Sequence, residues 1–205
     1  AISPEALDLL NSLSQLPHLE EFFLAGGTGL ALQYGHRLSV DLDFFTAVDF
    51  NTEEIIDLLR TDHPFTLLAQ SKNSITLDIS GVKTDFIRHA YPLLRPLNLI
   101  DGKRIASVED IAAMKLNAIK NRGSKKDFFD IHELLRHFTI QEMIRFHLEK
   151  YENGLHNFHK ALTIFQQLYS DGGHVNIGHT YHNIGNALEK LGQYKTSIKS
   201  YLSAL

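Results

Sequence analysis

The stretch FFLAGGTGLALQYGHRLSVDLDFF, residues 22–45, contains the strongest signals from which the fold can be predicted. Its first apolar residues run into Gly26 and Gly27, a pattern typical of a buried strand that ends in a tight turn. The residues TGLALQY favour a helix, and Gly35 is the residue expected just after the end of that helix. The segment SVDLDFFT then alternates polar and apolar residues, which predicts a second strand. The stretch therefore predicts a strand, a glycine turn, a helix and another strand.

Two carboxylates, Asp41 and Asp43, lie one residue apart inside this second apolar run. Strand alternation places both on one face, while Leu42 and Phe44 point to the other. Carboxylates held this close repel each other unless a cation lies between them. Mg²⁺ binds one or two protein carboxylates and completes its shell with water and substrate phosphates. The pair therefore predicts a site for Mg²⁺ or Mn²⁺ that serves phosphoryl or nucleotidyl transfer.

Other residues in the first half of the chain fit such a site. Asp85 lies in VKTDFIRHA, a segment that reads as a later strand, and it is the candidate third carboxylate and metal ligand. The backbone N–H groups of the Gly26-Gly27-Thr28 turn, next to a helix N-terminus, can face a triphosphate. These features predict that the site can bind a triphosphate group.

The remaining elements follow from local signals. Ser3 and Pro4 predict the start of a helix over residues 4–14, and Thr52 is expected to cap EEIIDLLR. FTLLAQ and SITLDIS predict paired strands joined around Lys72 and Asn73. From Ser107 onward three helices are predicted, SVEDIAAMKLNAIKNR, KKDFFDIHELLRHF and IQEMIRFHLEKY, the first with a capping pair of Ser107 and Asp110. The expected fold class is α+β, a mixed sheet flanked by helices and followed by an all-helical C-terminal part.

Three blocks in this order carry a family resemblance: LAGGTGLAL, HRLSVDLDFF and MKLNAIKNRGSKKDFFDIHELL. Together they resemble the AbiEii/AbiGii family of the DNA polymerase β-like nucleotidyltransferases, over roughly residues 5–163. That family is the toxin half of abortive-infection toxin–antitoxin pairs. The resemblance implies a nucleotidyltransferase mixed sheet and Mg²⁺-dependent transfer of a nucleoside monophosphate from an NTP to an acceptor such as tRNA. It also implies a cognate antitoxin and a cytoplasmic location.

The resemblance also implies roles for residues of the first two blocks. Gly27 and Thr28 would contact the phosphates of the nucleotide, with Gly26, Arg37 and Ser39 in the same nucleotide-binding set. Ser39 stands at the Ser/Thr position that precedes the first aspartate of the family pattern.

The metal ligands and the third block follow in the same way. Asp41 and Asp43 would hold metal, with Asp85 at the strand position of the third carboxylate. Lys115 would meet the triphosphate, and Asp127 would be a further site carboxylate. Arg122 or Asp130 would assist Asp127, although Asp127 is favoured over Asp130.

The end of the chain has a different pattern. GHTYHNIGNALEKLGQYKTSIKSYLSAL resembles a tetratricopeptide repeat, and the segment from Phe158 looks like the second helix of a preceding repeat. The expected domains are a nucleotidyltransferase core over 1–106, a helical part that completes the active site over 107–154, and a tetratricopeptide-like helix pair over 155–205. Because a solenoid normally needs about three repeats, this tail is expected to pack on the enzyme part, to pair with another protein chain, or to belong to a longer gene product.

Bulk properties set outer limits on function. The chain has 205 residues and no cysteine, which suits a reducing compartment. Neither an apolar run of membrane-spanning length nor a leader-like N-terminus is evident, so no membrane partner is expected. Net charge is −4, which gives no support for a long nucleic-acid interface, although basic residues cluster between Lys115 and Lys126. The twelve histidines are expected to be surface residues.

Two further hypotheses remain open on the sequence alone. The acceptor could be a small molecule or a protein hydroxyl, which the acidic net charge favours over long nucleic acid. In the third hypothesis the chain is a non-catalytic module that binds NTP and recruits a partner through its tail. NTP binding without turnover would favour that last reading.

Overall fold

The computed structural model of the protein describes residues 1–121 and 124–151. The chain divides into two compact units, Ala1–Ile111 and a second that begins at Ala112. The expected tetratricopeptide-like segment, 155–205, lies outside the described residues, as does Arg122. No helix in the described part of the chain is both long enough and apolar enough to cross a membrane.

A seven-stranded mixed sheet forms the centre of the first unit. Its strands lie in the order β3-β4-β5-β2-β1-β7-β6. The strands are β1 (Phe23–Leu24), β2 (Leu42–Thr46), β3 (Phe65–Ser71), β4 (Ser74–Ile79), β5 (Val82–Arg88), β6 (Asn98–Ile100) and β7 (Lys103–Ile105). Strand β2 pairs parallel with β5 and antiparallel with β1, and β1 pairs parallel with β7. The mixed sheet and the α+β class expected from the sequence are confirmed.

Helices α1 (Pro4–Leu13), α2 (Gly26–Tyr34) and α3 (Thr52–Arg60) belong to the first unit. Helix α1 begins as expected, because the Ser3 side chain accepts a hydrogen bond from the backbone N–H of Ala6. The cap expected at Thr52 is wrong: Asn51 is the N-cap of α3, and its side chain accepts from the N–H of Glu53. Helix α2 ends at Tyr34, and its C-cap residue Gly35 has a left-handed φ of 66°.

One face of the sheet is buried against α1 and α3. Phe44 of β2 and Phe86 of β5 are register partners, and their rings stack with centroids 5.1 Å apart. Leu10 and Leu13 of α1 and Leu59 of α3 share the same buried cluster. Because side chains alternate along each strand, Asp43 and Asp85 point to the opposite face. Packing of the apolar face thus fixes the side on which the carboxylates lie.

Helix α4 (Val108–Asn121) begins in the first unit and continues into the second, which also contains α5 (Lys125–Leu134) and α6 (Ile140–Tyr151). The expected capping pair at α4 is present: the N–H of Asp110 donates to Ser107 Oγ at 3.0 Å, and that hydroxyl donates back to the Asp110 carboxylate at 2.7 Å. The buried Asp110 carboxylate also accepts from the N–H groups of Leu94 and Arg95. This one side chain therefore anchors the loop that precedes β6.

Candidate active site

The glycine turn brings the start of α2 against strand β2. The N–H of Ala25 donates to the carbonyl of Asp43 at 3.0 Å, and Gly26 has a left-handed φ of 62°. A Cβ atom on Gly26 would lie 2.2 Å from Oδ2 of Asp43 and 2.9 Å from its Cγ. Such distances are far below van der Waals contact, so only glycine lets the Asp43 carboxylate occupy this position beside the turn.

A chain of hydroxyl groups supports the segment before β2. Thr28 is buried, its Oγ1 lies 2.7 Å from Oγ of Ser39, and its hydroxyl donates to the carbonyl of Asp41. A threonine hydroxyl carries one proton, so Ser39 is the donor to Thr28. The Arg37 guanidinium donates to Ser39 Oγ at 3.4 Å. The chain from Arg37 through Ser39 and Thr28 thus holds the backbone of Asp41.

This arrangement bears on the phosphate-binding roles expected for the two hydroxyls. Both Thr28 and Ser39 are buried, and both hydroxyls are hydrogen-bonded within the protein. In this structure they support Asp41, and the groups best suited to meet a phosphate are backbone N–H groups at the start of α2. The roles of Gly27, Thr28, Ser39 and Arg37 toward nucleotide remain predictions.

The three aspartates expected at the site lie on or next to neighbouring strands. Asp41 immediately precedes β2, which is shorter than the sequence predicted, and Val40 before it is 44% exposed. Asp43 and Asp85 are register partners in the parallel pair of β2 and β5. Partners in adjacent strands lie about 5 Å apart and share a face of the sheet. The fold therefore places Asp85 beside Asp43.

Two residues that the sequence analysis missed hold Asp85. The Thr76 hydroxyl of β4 donates to Oδ1 of Asp85 at 2.5 Å, and Lys83 forms an ion pair with Oδ2. Lys83 is two residues before Asp85 on the same strand, so strand periodicity was the signal that could have found it. Asp85 is 7% exposed. Its carboxylate is therefore nearly buried and has a partner on each oxygen.

The fit of these residues to a divalent metal rests on their donor atoms. Asp41 and Asp43 offer only carboxylate oxygens, which suit Mg²⁺ and Mn²⁺. Gly26 leaves space for the Asp43 carboxylate that any side chain would fill. Across residues 1–121 and 124–151, no group of three or more histidine, aspartate or glutamate side chains is arranged to hold a metal. The pair thus fits the ion, and the three-carboxylate set remains a prediction.

The second unit contains a buried ion cluster. Lys115 Nζ of α4 lies 3.0 Å from Oδ1 of Asp127 and 2.7 Å from Oδ2 of Asp130, both on α5. Ser124 Oγ donates to Oδ2 of Asp127 at 2.7 Å. Lys115 is 5% exposed, and both aspartates are fully buried. The structure thus joins Lys115 to Asp127 and Asp130 in one buried ion cluster, and the roles of Lys115 and Asp127 toward the nucleotide remain predictions.

The sequence analysis did not reveal that Asp130 is as buried as Asp127 and pairs with the same lysine. Aspartates at positions i and i+3 of a helix share a face, which was the available signal. Its burial depends on tertiary packing, which the local pattern does not reveal. Ser124, placed just before α5, was missed for the same reason.

The mixed sheet with the glycine turn beside β2 is the fold expected of a nucleotidyltransferase. The sequence matches the family described as "Nucleotidyl transferase AbiEii toxin, Type IV TA system" over residues 8–92 and 63–167. The chain belongs to this family and is a nucleotidyltransferase of toxin–antitoxin type. Residues 143–205 match a tetratricopeptide repeat family, which confirms the resemblance seen in the tail.

Individual proteins of similar sequence or fold were also found. An uncharacterized protein of Aquifex aeolicus (strain VF5) is 38% identical over 161 residues, which cover 74% of this chain and 77% of the relative. The crystal structure of JHP933 from Helicobacter pylori has a TM-score of 0.50 at 20% identity, covering 100% of this chain and 96% of that one. It supports the fold alone. MenT4, a nucleotidyltransferase toxin from Mycobacterium tuberculosis H37Rv, aligns with a TM-score of 0.48 at 12% identity, covering 99% and 90% of the two chains.

Proposed function

We propose that the protein transfers a nucleoside monophosphate from an NTP to an acceptor hydroxyl, with tRNA as the acceptor. The observation that carries this proposal is the Asp43 carboxylate seated against the Gly26 turn, with Asp41 next to it and Asp85 beside it. This arrangement sets carboxylate oxygens next to the backbone N–H groups of a helix N-terminus. A triphosphate with a divalent cation needs both kinds of group.

The proposed chemistry forms one bond and breaks one bond. The acceptor oxygen attacks the α-phosphorus of the NTP, the bond from that phosphorus to the bridging oxygen breaks, and pyrophosphate leaves. Asp41 and Asp43 would hold Mg²⁺ or Mn²⁺, which when bound neutralises phosphate charge. Asp85 or Asp127 would accept the proton of the attacking hydroxyl. Lys115 would provide positive charge for the triphosphate.

The cellular role follows from the family. As a toxin of a toxin–antitoxin pair, the protein would stop growth by modifying its acceptor until a cognate antitoxin neutralises it. The tetratricopeptide match over 143–205 supports a protein-binding role for the tail. The division into a core over 1–106, a helical part over 107–154 and a tail over 155–205 is part of the same proposal, as is a cytoplasmic location.

Labelling with radioactive nucleotide tests the transfer. The protein is incubated with Mg²⁺, each α-labelled NTP in turn and total tRNA, beside the double variant Asp41→Asn/Asp43→Asn. Label on tRNA that the variant fails to add supports the proposal and identifies the base. Label on the protein itself would replace tRNA with a polypeptide acceptor. NTP binding without label on any acceptor would contradict transfer and favour a non-catalytic binding module.

A further inference from the structure

Asp43 and Asp85 lie on one face of the sheet, which we call the carboxylate face. Strand register also places Lys83 on this face. Lys83 and Asp85 are two residues apart on β5, so they share a face. Asp85 is the register partner of Asp43 on β2 and of Thr76 on β4. Lys83 is the register partner of Asp78 on β4. Lys83 therefore shares a face of the sheet with Asp78 and Asp85, and its ammonium group pairs with Asp85.

The contacts of Asp85 show what Lys83 does there. Thr76 donates to one oxygen of the Asp85 carboxylate, and Lys83 pairs with the other. The side chain of Asp85 is 10% exposed, whereas that of Lys83 is 49% exposed. A nearly buried carboxylate next to a second carboxylate is costly unless a positive charge lies close to it. Lys83 provides this charge from the solvent side.

We propose that Lys83 is an internal counter-cation that competes with a divalent metal for Asp85 and so lowers the metal affinity of the carboxylate face. This inference rests on the proposed function and on the predicted role of Asp85 as a third metal ligand beside Asp41 and Asp43. Lys83 acts through Asp85 and is therefore a positioning residue. With the charge of the aspartates neutralised, the half-exposed Lys83 side chain would turn away toward solvent.

The exposure of Lys83 makes this exchange feasible. An ion pair with one half-exposed partner on a flexible stem contributes about 0–1 kcal/mol, so breaking it costs little. The pair of Lys115 with Asp127 and Asp130 is different, because all three groups are buried and its rupture would leave an uncompensated charge. Of these two lysines, Lys83 is the one that can leave its carboxylate readily.

Direct metal binding tests the inference without any turnover. Free Mn²⁺ is measured by electron paramagnetic resonance during titration of the full chain, for wild type, Lys83→Met and the control Lys103→Met. Lys103 lies on β7, where its ammonium group donates to the backbone carbonyl of Asp101. The control therefore removes the same charge from the same unit without touching the carboxylate face. Circular dichroism confirms that each variant is folded.

We expect Lys83→Met to lower the Mn²⁺ dissociation constant by about three- to tenfold, since it removes the unit positive charge that pairs with the Asp85 carboxylate. Lys103→Met should bind as wild type does. An unchanged constant in Lys83→Met, or an equal decrease in Lys103→Met, would overturn the inference.

The double variant Asp41→Asn/Asp43→Asn separates this inference from the proposed function. If it loses Mn²⁺ binding while Lys83→Met matches wild type, only the role of Lys83 fails. If it binds Mn²⁺ as wild type does, the metal site of the proposed function is wrong, and the inference fails with it.

Discussion

Asp43 and Gly26 are matched to each other: the carboxylate of one occupies the space that a side chain on the other would fill. The distance from an ideal Cβ on Gly26 to Asp43 Oδ2 would be 2.2 Å. The backbone adds a second constraint, since Gly26 has a φ of 62°. The position of the candidate metal ligand therefore depends on the absence of a side chain in the turn.

Substitution of Gly26 by alanine should displace Asp43 as well as strain the turn. The left-handed backbone alone costs about 1–2 kcal/mol for alanine, and the steric clash adds to this. Gly35→Ala is the matched control, because Gly35 has a similar φ of 66° but no atom within 4 Å of its missing Cβ. Urea unfolding should show a larger loss for Gly26→Ala. The rate of nucleotidyl transfer should fall about 10²-fold in Gly26→Ala and stay near that of wild type in Gly35→Ala. Equal transfer rates in the two variants would contradict the role of Asp43.

Replacing Thr28 by valine should loosen the backbone of Asp41. The variant keeps the shape of the side chain but removes the hydroxyl that joins Ser39 to the carbonyl of Asp41. Leaving these groups without their partner costs about 1–3 kcal/mol of stability. Transfer activity should drop in Thr28→Val and recover in Thr28→Ser. Thr84→Val serves as the control, since Thr84 is also fully buried and its hydroxyl donates to the carbonyl of Val82. Full activity in Thr28→Val would exclude the positioning role of Thr28.

Elements with strong local signals could be predicted from the sequence. Ser3 and Pro4 identified the start of α1, and the predicted turn at Lys72 and Asn73 joins β3 to β4, with Asn73 in a left-handed conformation, φ 59°. The segment IQEMIRFHLEKY matches α6 from Ile140 to Tyr151. In each case the residues that define the element lie within it or next to it, so pattern and structure agree.

Features that depend on distant partners could not be predicted. Strands β6 and β7 have three residues each, too few to show alternation; they form a hairpin with each other, and Ile105 also pairs with Leu24 far away in the chain. The cap of α3 was wrong by one residue because Asn51 and Thr52 are both good caps, and only the backbone decides between them. At the site, the spacing of Asp41 and Asp43 and the Gly26-Gly27-Thr28 turn could be recognised in the sequence. Of the two partners of Asp85, Lys83 follows from strand periodicity, whereas Thr76 does not, since it is placed by the pairing of β4 with β5.

The buried ion cluster of the second unit predicts strong energetic coupling. Lys115→Met would leave two buried carboxylates without their cation and should destabilise the protein by about 3–5 kcal/mol. Adding Asp130→Asn to this variant removes one of those charges, so the double variant should be more stable than the sum of the single effects predicts. Lys125→Met, which removes an exposed lysine of α5, should change stability by less than about 1 kcal/mol. Additive effects in the urea-unfolding cycle of Lys115 and Asp130 would show that the pair is not coupled.

Helix α6 begins with a reciprocal cap that makes its stability depend on pH. The backbone N–H of Thr139 donates to Oε2 of Glu142 at 2.7 Å, and the Thr139 hydroxyl donates to the same oxygen at 2.8 Å. The backbone hydrogen bond, then the hydroxyl, hold the pKa of Glu142 below its ordinary value of 4.5. A carboxyl whose pKa is lower in the folded state stabilises the fold above its unfolded pKa. That contribution disappears as the pH falls through the folded pKa.

Glu142→Gln should therefore be less stable than wild type at pH 7, and the difference should shrink once the pH falls below about 4.5. Thr139→Ala, which removes the hydroxyl cap, should cost about 1 kcal/mol at pH 7. Urea unfolding followed by circular dichroism between pH 3 and pH 7 measures both effects. The exposed Glu149 of the same helix, changed to glutamine, provides a control for the loss of charge. A stability difference between wild type and Glu142→Gln that stays constant, or grows, toward low pH would contradict the role assigned to this carboxylate.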